Sequence, residues 1–220
     1  MYKYETHIHT SEASKCARVT GSEQAFQYKK AGYDGIIITD HFFGGNTCID
    51  QYLPWKQKID LFCKGYEHAK ATGDKIGLQV FFGFEQTYDG TDFLVYGLDK
   101  EWLINHPDYE HCTIAEQYKM VVEGGGMVIH AHPFRDRPYI KEIRLFPHLV
   151  DGVEVINYGN SDNENVEAFK YAKGYNLPMT SGSDGHGHTV LGGGVRTNER
   201  LCSIEDYINL IKEKKEYKLM

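Results

Sequence analysis

The sequence predicts an α/β fold whose strands close into a distorted, TIM-like (β/α)7 barrel. Apolar, β-branched strand segments alternate with helical segments along the 220 residues, and such alternation indicates a parallel sheet, either open or closed into a barrel. His, Asp or Glu residues follow five of the strands, and a barrel brings the carboxyl ends of its strands together in one ring. Because only about seven strands can be counted, a short or distorted barrel is favoured over a complete eightfold one.

The predicted strands are short and mostly apolar. Residues 35–39 read Gly-Ile-Ile-Ile-Thr, and such a continuous β-branched run is typical of a strand buried on both faces. The first strand covers residues 2–9, and residues 194–197 are a candidate for the last. The strands predicted between them cover residues 78–84, 93–97, 127–131, 152–157 and 178–181.

Three of the predicted helices begin at a capping box, in which Ser or Thr is followed three residues later by Glu. The capping residues are Thr20, Thr113 and Ser161, and Ser203 can cap a final helix. Glycine triplets at 124–126 and 192–194 lack the phosphate-loop pattern, so we interpret both as chain terminations. The predicted helices cover about residues 21–31, 55–71, 114–123, 162–174 and 204–217.

Composition narrows the class of protein. Hydrophobic and charged fractions of 41% and 25% are typical of a globular chain, and the length suits a single domain over residues 1–220. The net charge of −7 argues against general nucleic-acid binding. The sequence shows no signal peptide and no apolar run of membrane-spanning length, and its five cysteines form no C-x-x-C pair. We therefore expect a cytoplasmic protein with reduced thiols and no membrane contact.

Five segments carry side chains that bind metal ions. His7 and His9 form an H-x-H pair, and both imidazoles lie on one side of the strand because side chains alternate along it. Alone, such a pair fits two ordinary histidines equally well. Imidazoles and carboxylates at four later strand ends favour a metal cluster. These four segments are Thr39-Asp40-His41, Gly83-Phe84-Glu85, Ala131-His132-Pro133-Phe134-Arg135 and Ser183-Asp184-Gly185-His186.

In this order, the motifs H-x-H, T-D-H, G-x-E, A-H-P-x-R and S-D-x-H resemble those of the PHP (polymerase and histidinol phosphatase) family. The resemblance spans nearly the whole chain. It implies a distorted (β/α)7 barrel that holds two or three divalent ions, zinc, manganese or iron, and most often hydrolyses phosphoesters. The ligands that it implies are His7, His9 and Asp184 for the first metal, Glu85 as the bridge to the second, His132 for the second, and His41 and His186 for the third.

The implied function is hydrolysis of a small phosphomonoester, such as histidinol phosphate or a nucleotide, by a metal-activated hydroxide. Asp184 would take part in catalysis, and Arg135 would hold the phosphoryl group in a bidentate fork. The alternatives are a phosphodiesterase, a C–N hydrolase of the amidohydrolase type and a non-catalytic metal-binding module. The last is favoured by the loop after the H-x-H pair, where Ser14 and Lys15 are poor ligands.

Further residues are candidates for supporting roles. Additional metal ligands or outer partners are Glu12, Asp40, Asp92 and His130; Asp40 would orient His41, and His130 is better explained by packing inside its strand. Substrate-binding candidates besides Arg135 are Arg18, Asn157, His188 and Arg196, of which Arg18, His188 and Arg196 also fit plain surface positions. The sequence leaves the substrate, the metal and the oligomeric state open.

Overall fold

Nine strands form one sheet in the computed structural model, which describes residues 1–220. The strands are β1 Tyr2–Ile8, β2 Gly35–Ile38, β3 Gln79–Tyr88, β4 Thr91–Tyr96, β5 Met127–His130, β6 Gly152–Asn157, β7 Met179–Gly182, β8 Val195–Thr197 and β9 Tyr217–Leu219. Their order in the sheet is β7-β6-β5-β4-β3-β2-β1-β8-β9. The sheet curls into a nearly closed barrel, because β1 also contacts the chain that follows β7.

The helices begin where the capping pattern predicts. The side chains of Thr20, Thr113 and Ser161 each accept a hydrogen bond from the backbone amide of a Glu three residues later, and their own backbone amides donate to the carboxylate of that Glu. Ser203 forms the same arrangement with Asp206. No helix is both long and apolar enough to cross a bilayer. The helices are α1 Gly21–Lys30, α2 Trp55–Phe62, α3 Lys64–Ile76, α4 Lys100–Asn105, α5 Ile114–Glu123, α6 Asp162–Gly174 and α7 Ile204–Lys212, with a 3-10 turn at Pro107–His111.

The prediction of a parallel sheet is wrong at β4 and at the last two strands, since β8 is antiparallel to β1 and β9 is antiparallel to β8. Strands β1, β2 and β3 run parallel to one another, as do β5, β6 and β7. β4 is antiparallel to both β3 and β5 because a tight turn at Asp89 and Gly90 folds it back on β3. The start of β4 therefore lies at the carboxyl ends of its neighbours.

The barrel is closed between β1 and β7 by a few specific contacts. Thr6 Oγ1 donates to the Ser181 carbonyl (2.6 Å), and the Ser183 amide donates to Glu5 Oε1 (3.0 Å). Beside this seam, Gly194 has a φ of +96°, and a Cβ there would lie 1.9 Å from the Tyr4 carbonyl oxygen. The 192–194 glycines are thus explained by close backbone approach rather than by chain termination.

Two helix predictions are wrong in detail. The helix predicted over residues 55–71 is broken at Cys63 into α2 and α3. Near this break α3 crosses α1 at two glycines: a Cβ on Gly21 would lie 1.9 Å from the Gly65 carbonyl oxygen. The final helix ends at Lys212, and Tyr217, predicted at its end, begins β9.

The amino end of the barrel is filled by apolar and aromatic side chains. Tyr207 and Ile211 of α7 are fully buried there, against residues that include Tyr4 and Met127 at the starts of their strands. Tyr207 meets Tyr96 edge to face, with ring centroids 5.2 Å apart. This end of the barrel is a hydrophobic core without a cluster of charged groups.

Candidate metal centre

The seven metal ligands implied by the sequence come together at the carboxyl end of the barrel, although they span residues 7 to 186. They form three overlapping groups, and within each group the ligand atoms lie within 4.8 Å of one another. We call these the first group (His7, His9, Asp184), the second group (His7, Glu85, His132) and the third group (His9, His41, His186).

Glu85 lies at the centre of the three groups. Its Oε1 is 3.1 Å from His132 Nε2 and 3.4 Å from His7 Nε2. Its Oε2 is 2.6 Å from His41 Nδ1 and 3.7 Å from His9 Nε2. The residue is fully buried, so one carboxylate faces four imidazoles without access to bulk water. This is the geometry required of a carboxylate shared between metal ions.

Asp184 connects the first group to Arg135. Its Oδ1 is 3.0 Å from His9 Nε2, and its Oδ2 is 2.7 Å from Arg135 Nη2. Asp184 and His132 both have positive φ angles, +53° and +27°, which non-glycine residues rarely adopt. Such strain at a cluster of polar side chains is typical of functional sites.

Four buried atoms of the cluster form no hydrogen bond of good geometry in the protein: Glu85 Oε2, Asp184 Oδ1, His41 Nδ1 and His186 Nε2. Three of them face another member of the cluster, since Glu85 Oε2 lies 2.6 Å from His41 Nδ1 and Asp184 Oδ1 lies 3.0 Å from His9 Nε2. A bound cation would satisfy these atoms better than the contacts among themselves do. Imidazole nitrogens with carboxylate oxygens suit divalent zinc, manganese or iron. The residues present therefore fit a metal cluster.

The outer nitrogens of His7 and His9 have fixed partners. His7 Nδ1 lies 2.9 Å from Glu154 Oε1, which can only accept, so this nitrogen carries the proton. His9 Nδ1 lies 3.2 Å from Ser14 Oγ, which donates to Asp40 Oδ1 at 2.7 Å. These contacts direct the Nε2 atoms of both rings to the cluster, where the two nitrogens are 3.1 Å apart, a distance at which one proton is shared between them. A metal ion bound there would take the place of that proton.

The electrostatics keep the two carboxylates ionised. Burial would raise the pKa of Glu85, but His41 and His7 hold it well below its usual value. Burial opposes ionisation of Asp184 too, and His7, His9 and Arg135 keep its pKa well below the ordinary range. Burial, together with His41 and His186, lowers the pKa of His9 well below its usual value. Two anionic carboxylates and a neutral imidazole are the protonation states that metal binding requires.

Asp40 contacts different residues from those expected. Instead of His41, its carboxylate accepts from the Thr10 amide (2.5 Å), the Thr10 hydroxyl (2.6 Å) and Ser14. Burial raises the pKa of Asp40 to about 6 despite these hydrogen bonds. Asp40 therefore orients His9, through Ser14, and not His41 as expected.

The other candidates for extra ligands lie at different distances from the cluster. Asp92 is near it, with Oδ2 3.9 Å from His132 Nδ1. Glu12 is directed elsewhere and accepts from the Gly21 amide at the start of α1. His130 is fully buried, stacks on Phe93 at 5.0 Å and has no hydrogen-bond partner. Burial lowers its pKa to about 3, so His130 is a neutral core residue.

Among the substrate-binding candidates, Arg135 and Asn157 lie at the site. Arg135 Nε donates to Asn160 Oδ1 and Nη2 to Asn157 Oδ1, both at 2.9 Å. Arg18 and His188 are exposed on nearby loops. Arg196 is exposed at the amino end of the barrel, where β8 pairs with the start of β1, and lies far from the cluster.

An open cavity of about 460 Å³ leads to the cluster. Metal-binding side chains line its floor, Arg135 and Asp92 one side, and Tyr139 the rim. Cys16 also lines it, beside the rings of His186 and His41. Burial would raise the pKa of the Cys16 thiol, but these two rings outweigh burial and lower it to about 6.

Sequence reasoning missed Glu154, Ser14 and Cys16. Glu154 had one visible signal, because a carboxylate in the apolar run Gly-Val-Glu-Val-Ile is unusual in a buried strand. It is fully satisfied, since its Oε2 accepts from the His132 amide (3.1 Å) and Asn157 Nδ2 (2.8 Å). Ser14 and Cys16 had no signal beyond following the H-x-H pair.

Comparison with known proteins gives structural matches only. No family model matches the chain, and no curated protein matches its sequence. A two-domain protein from Bacteroides vulgatus that contains a predicted PHP-like metal-dependent phosphoesterase matches with a TM-score of 0.74 at 16% identity. The match covers 100% of this chain and 64% of the Bacteroides chain. A proposed metal-dependent phosphoesterase from Bifidobacterium adolescentis matches with a TM-score of 0.62 at 17% identity, over 96% of both chains.

This chain has the PHP-type barrel fold. An amidohydrolase from Chromobacterium violaceum shares the architecture more distantly, with a TM-score of 0.56 at 14% identity over 84% of this chain and 88% of the other. The prediction of a distorted PHP-type barrel is thus confirmed at the level of fold. The metal-binding cluster described above lies at the carboxyl ends of the strands of this barrel.

Proposed function

We propose that this PHP-type chain is a metal-dependent phosphoesterase that hydrolyses a small phosphomonoester, such as histidinol phosphate or a nucleotide. The observation that carries the proposal is the position of Glu85, whose buried carboxylate faces His7, His9, His41 and His132 at the inner end of the open cavity. The fold shared with proteins described as metal-dependent phosphoesterases supports it.

The three groups define where two or three divalent ions would be held. His7, His9 and Asp184 would hold one, His132 and Glu85 a second, and the third group a further one. When bound, such ions activate water for attack and neutralise phosphoryl oxygens. The protein's own negative charge would otherwise repel a phosphorylated substrate, so the ions also make binding possible.

Arg135 is the residue that would position the phosphoryl group. Asn160, Asn157 and Asp184 hold its Nε and Nη2, which leaves Nη1 available as a donor to a phosphoryl oxygen. Because the guanidinium is fixed before substrate arrives, little side-chain entropy is lost on binding. Neutralisation of Asp184 by Arg135 also keeps that carboxylate ionised beside the imidazoles.

The cavity limits the size of the substrate. A volume of about 460 Å³ lies within the range that small-molecule sites occupy, and its polar lining suits a phosphorylated metabolite better than a polymer. All five cysteines are free thiols, and we assign the activity to a reducing compartment, the cytoplasm.

A second candidate, hydrolysis of a C–N bond, is favoured by the fold shared with the Chromobacterium amidohydrolase. The same cluster could activate water against an amide carbon. Arg135 distinguishes the two reactions, since a fixed guanidinium beside the cluster suits the dianionic phosphoryl group better than a neutral amide.

The test is phosphate release from a panel of phosphomonoesters, phosphodiesters and nucleotides after reconstitution with zinc, manganese or iron. We expect metal-dependent release that is lost in His9→Ala and retained in Arg196→Ala, an exposed residue at the opposite end of the barrel. Release from diesters alone would change the substrate class. If the protein binds metal and hydrolyses amides but no phosphate ester, the proposal of C–N bond hydrolysis replaces the phosphoesterase proposal.

A further inference from the structure

The third group differs from the other two in its chemistry. The first group contains Asp184 and the second contains Glu85, whereas the third contains imidazoles only. Its rings lie face to face, with the centroid of His9 4.2 Å from that of His41 and 4.3 Å from that of His186. A divalent ion held by three neutral imidazoles would keep one positive charge even after pairing with Glu85, whose Oε2 lies 2.6 Å from His41 Nδ1, so a second anionic ligand is expected nearby.

Two nitrogens of the third group are available to such an ion. His186 Nδ1 is committed to the Asp184 carbonyl at 2.7 Å, which leaves its buried Nε2 without a partner. His41 Nδ1 faces the fully buried Glu85 Oε2 at 2.6 Å, and an ion bound here would take the place of the proton between them. The unpartnered Nε2 of His186 therefore points to a ligand beside His41.

Cys16 is the residue beside them. Its side chain lies next to the rings of His186 and His41 and lines the same cavity. The surrounding loop is fixed by backbone hydrogen bonds on both sides of the cysteine: the Lys15 amide donates to Asn46 (2.8 Å), and the Arg18 amide donates to His186 (2.8 Å). The thiol is thus held at the site by the fold.

We propose that Cys16 completes the third group as a thiolate ligand and makes it a Cys–His site for a thiophilic divalent ion, zinc above all. Thiolate and imidazole select zinc, whereas the carboxylate-containing groups also suit manganese. On binding, the thiol loses its proton to solvent as the sulfur–metal bond forms. This inference rests on the proposed metal centre, but it does not depend on which bond the centre hydrolyses.

Cobalt(II) is the probe that tests the proposal, because a cysteine thiolate bound to cobalt gives a charge-transfer band in the near ultraviolet that imidazole and carboxylate do not give. We expect this band in the cobalt-loaded protein and its loss in Cys16→Ser. The matched control is Cys48→Ser, since Cys48 is exposed and its Sγ lies against the backbone carbonyls of Ser11 and Glu12. That variant should keep the band.

Zinc content provides the second readout. Cys16→Ser should retain one bound zinc ion fewer than the intact protein, and Cys16→His should restore that ion without restoring the cobalt band. A band that persists in Cys16→Ser, or that is missing from the intact protein with cobalt bound, would overturn the proposal. Phosphate release without a thiolate band would support the phosphoesterase proposal and contradict the Cys16 proposal. A thiolate band without hydrolysis of any ester would support the Cys16 proposal and contradict the phosphoesterase proposal.

Discussion

At the carboxyl end of the barrel, Glu85 and Asp184 lie buried among imidazoles, and one oxygen of each forms no hydrogen bond of good geometry. At the amino end, α7 packs Tyr207 and Ile211 against an apolar core. The same strands supply both ends. The polar groups at the carboxyl end are arranged to bind ions, and this arrangement lowers the stability of the metal-free protein. The apolar packing at the amino end compensates for that loss of stability.

This comparison predicts that substitutions at the two ends separate function from stability. Changes at the carboxyl end should remove metal binding and activity with little loss of folding. Changes at the amino end should lower the free energy of unfolding and leave the activity of the folded fraction intact. The following experiments test that separation, from the largest expected effect to the smallest.

The largest effect is expected from Glu85→Gln. The amide of Gln cannot serve as an anionic bridge between ions. Loss of a residue that only hydrogen-bonds to a metal ligand typically lowers metal affinity or activity by about 10–100-fold, so we expect loss of the bridge itself to lower activity by more than about 100-fold. Metal should also cease to raise the melting temperature, since that rise reflects ions bound only by the folded state. The control is Glu123→Gln, an exposed carboxylate at the end of α5. Unchanged metal affinity in Glu85→Gln would contradict the bridging role.

At the amino end, Ile211→Ala should lower the free energy of unfolding by about 2–5 kcal/mol, because it opens a cavity beside Tyr207. Denaturant unfolding measures this loss, and phosphate release per folded molecule should stay within about twofold of the intact protein. Val166→Ala on α6, where the side chain is exposed, should change stability by less than about 0.5 kcal/mol. A selective loss of activity in Ile211→Ala would show that the two ends are coupled.

Glu154→Gln tests the outer partner of His7. If the amide nitrogen faces His7 Nδ1, the ring must move its proton to Nε2, and if the amide oxygen faces it, the His132 amide and Asn157 Nδ2 lose their acceptor. We expect metal affinity to fall about 10–100-fold, as measured by competition with a chelator dye. Glu167→Gln, whose carboxylate pairs only with Lys170 on the surface of α6, is the control. Equal metal affinities in Glu154→Gln and Glu167→Gln would show that Glu154 does not support metal binding by His7.

The smallest effect concerns Glu164, whose carboxylate completes the capping box of α6 opposite Ser161. Burial would raise its pKa, but hydrogen bonds from Asp136, Ser161 and Arg137 lower it from 4.5 to about 2. Because the folded-state pKa is depressed, the stabilisation is present above about pH 4.5 and lost as the pH falls towards 2. Glu164→Gln should therefore cost about 1 kcal/mol at neutral pH and nothing near pH 2, as pH-dependent unfolding would show. A cost that does not vary with pH would contradict this assignment.

Much of the fold followed from local patterns. The capping boxes at Thr20, Thr113 and Ser161 form as predicted, because each is decided within four residues. The antiparallel course of β4 was missed although the Asp89–Gly90 turn that causes it is a local signal. The break at Cys63 did not follow, since a helix crossing depends on tertiary contacts. The pairing of Tyr217–Leu219 with β8 was missed for the same reason.

The site shows the same division. The histidines and carboxylates could be gathered from the sequence because each follows a strand end. Their partners could not: His7 and Glu154 are separated by 147 residues, and nothing local distinguishes Ser14 or Cys16 from ordinary loop residues. Glu12 was expected near the metals because it follows the H-x-H pair, yet the loop directs it to the start of α1. Contacts across the barrel decide these roles.

The central claim is that divalent ions held around Glu85 drive hydrolysis of a phosphate ester. The most direct test is phosphate release from chelator-treated protein as zinc or manganese is added in measured equivalents, with the bound metal counted in the same samples. We predict no release without metal and a rise once more than one equivalent is bound, because Glu85 faces imidazoles of all three groups. Release from the metal-free protein, or none from any ester at any loading, would contradict the account.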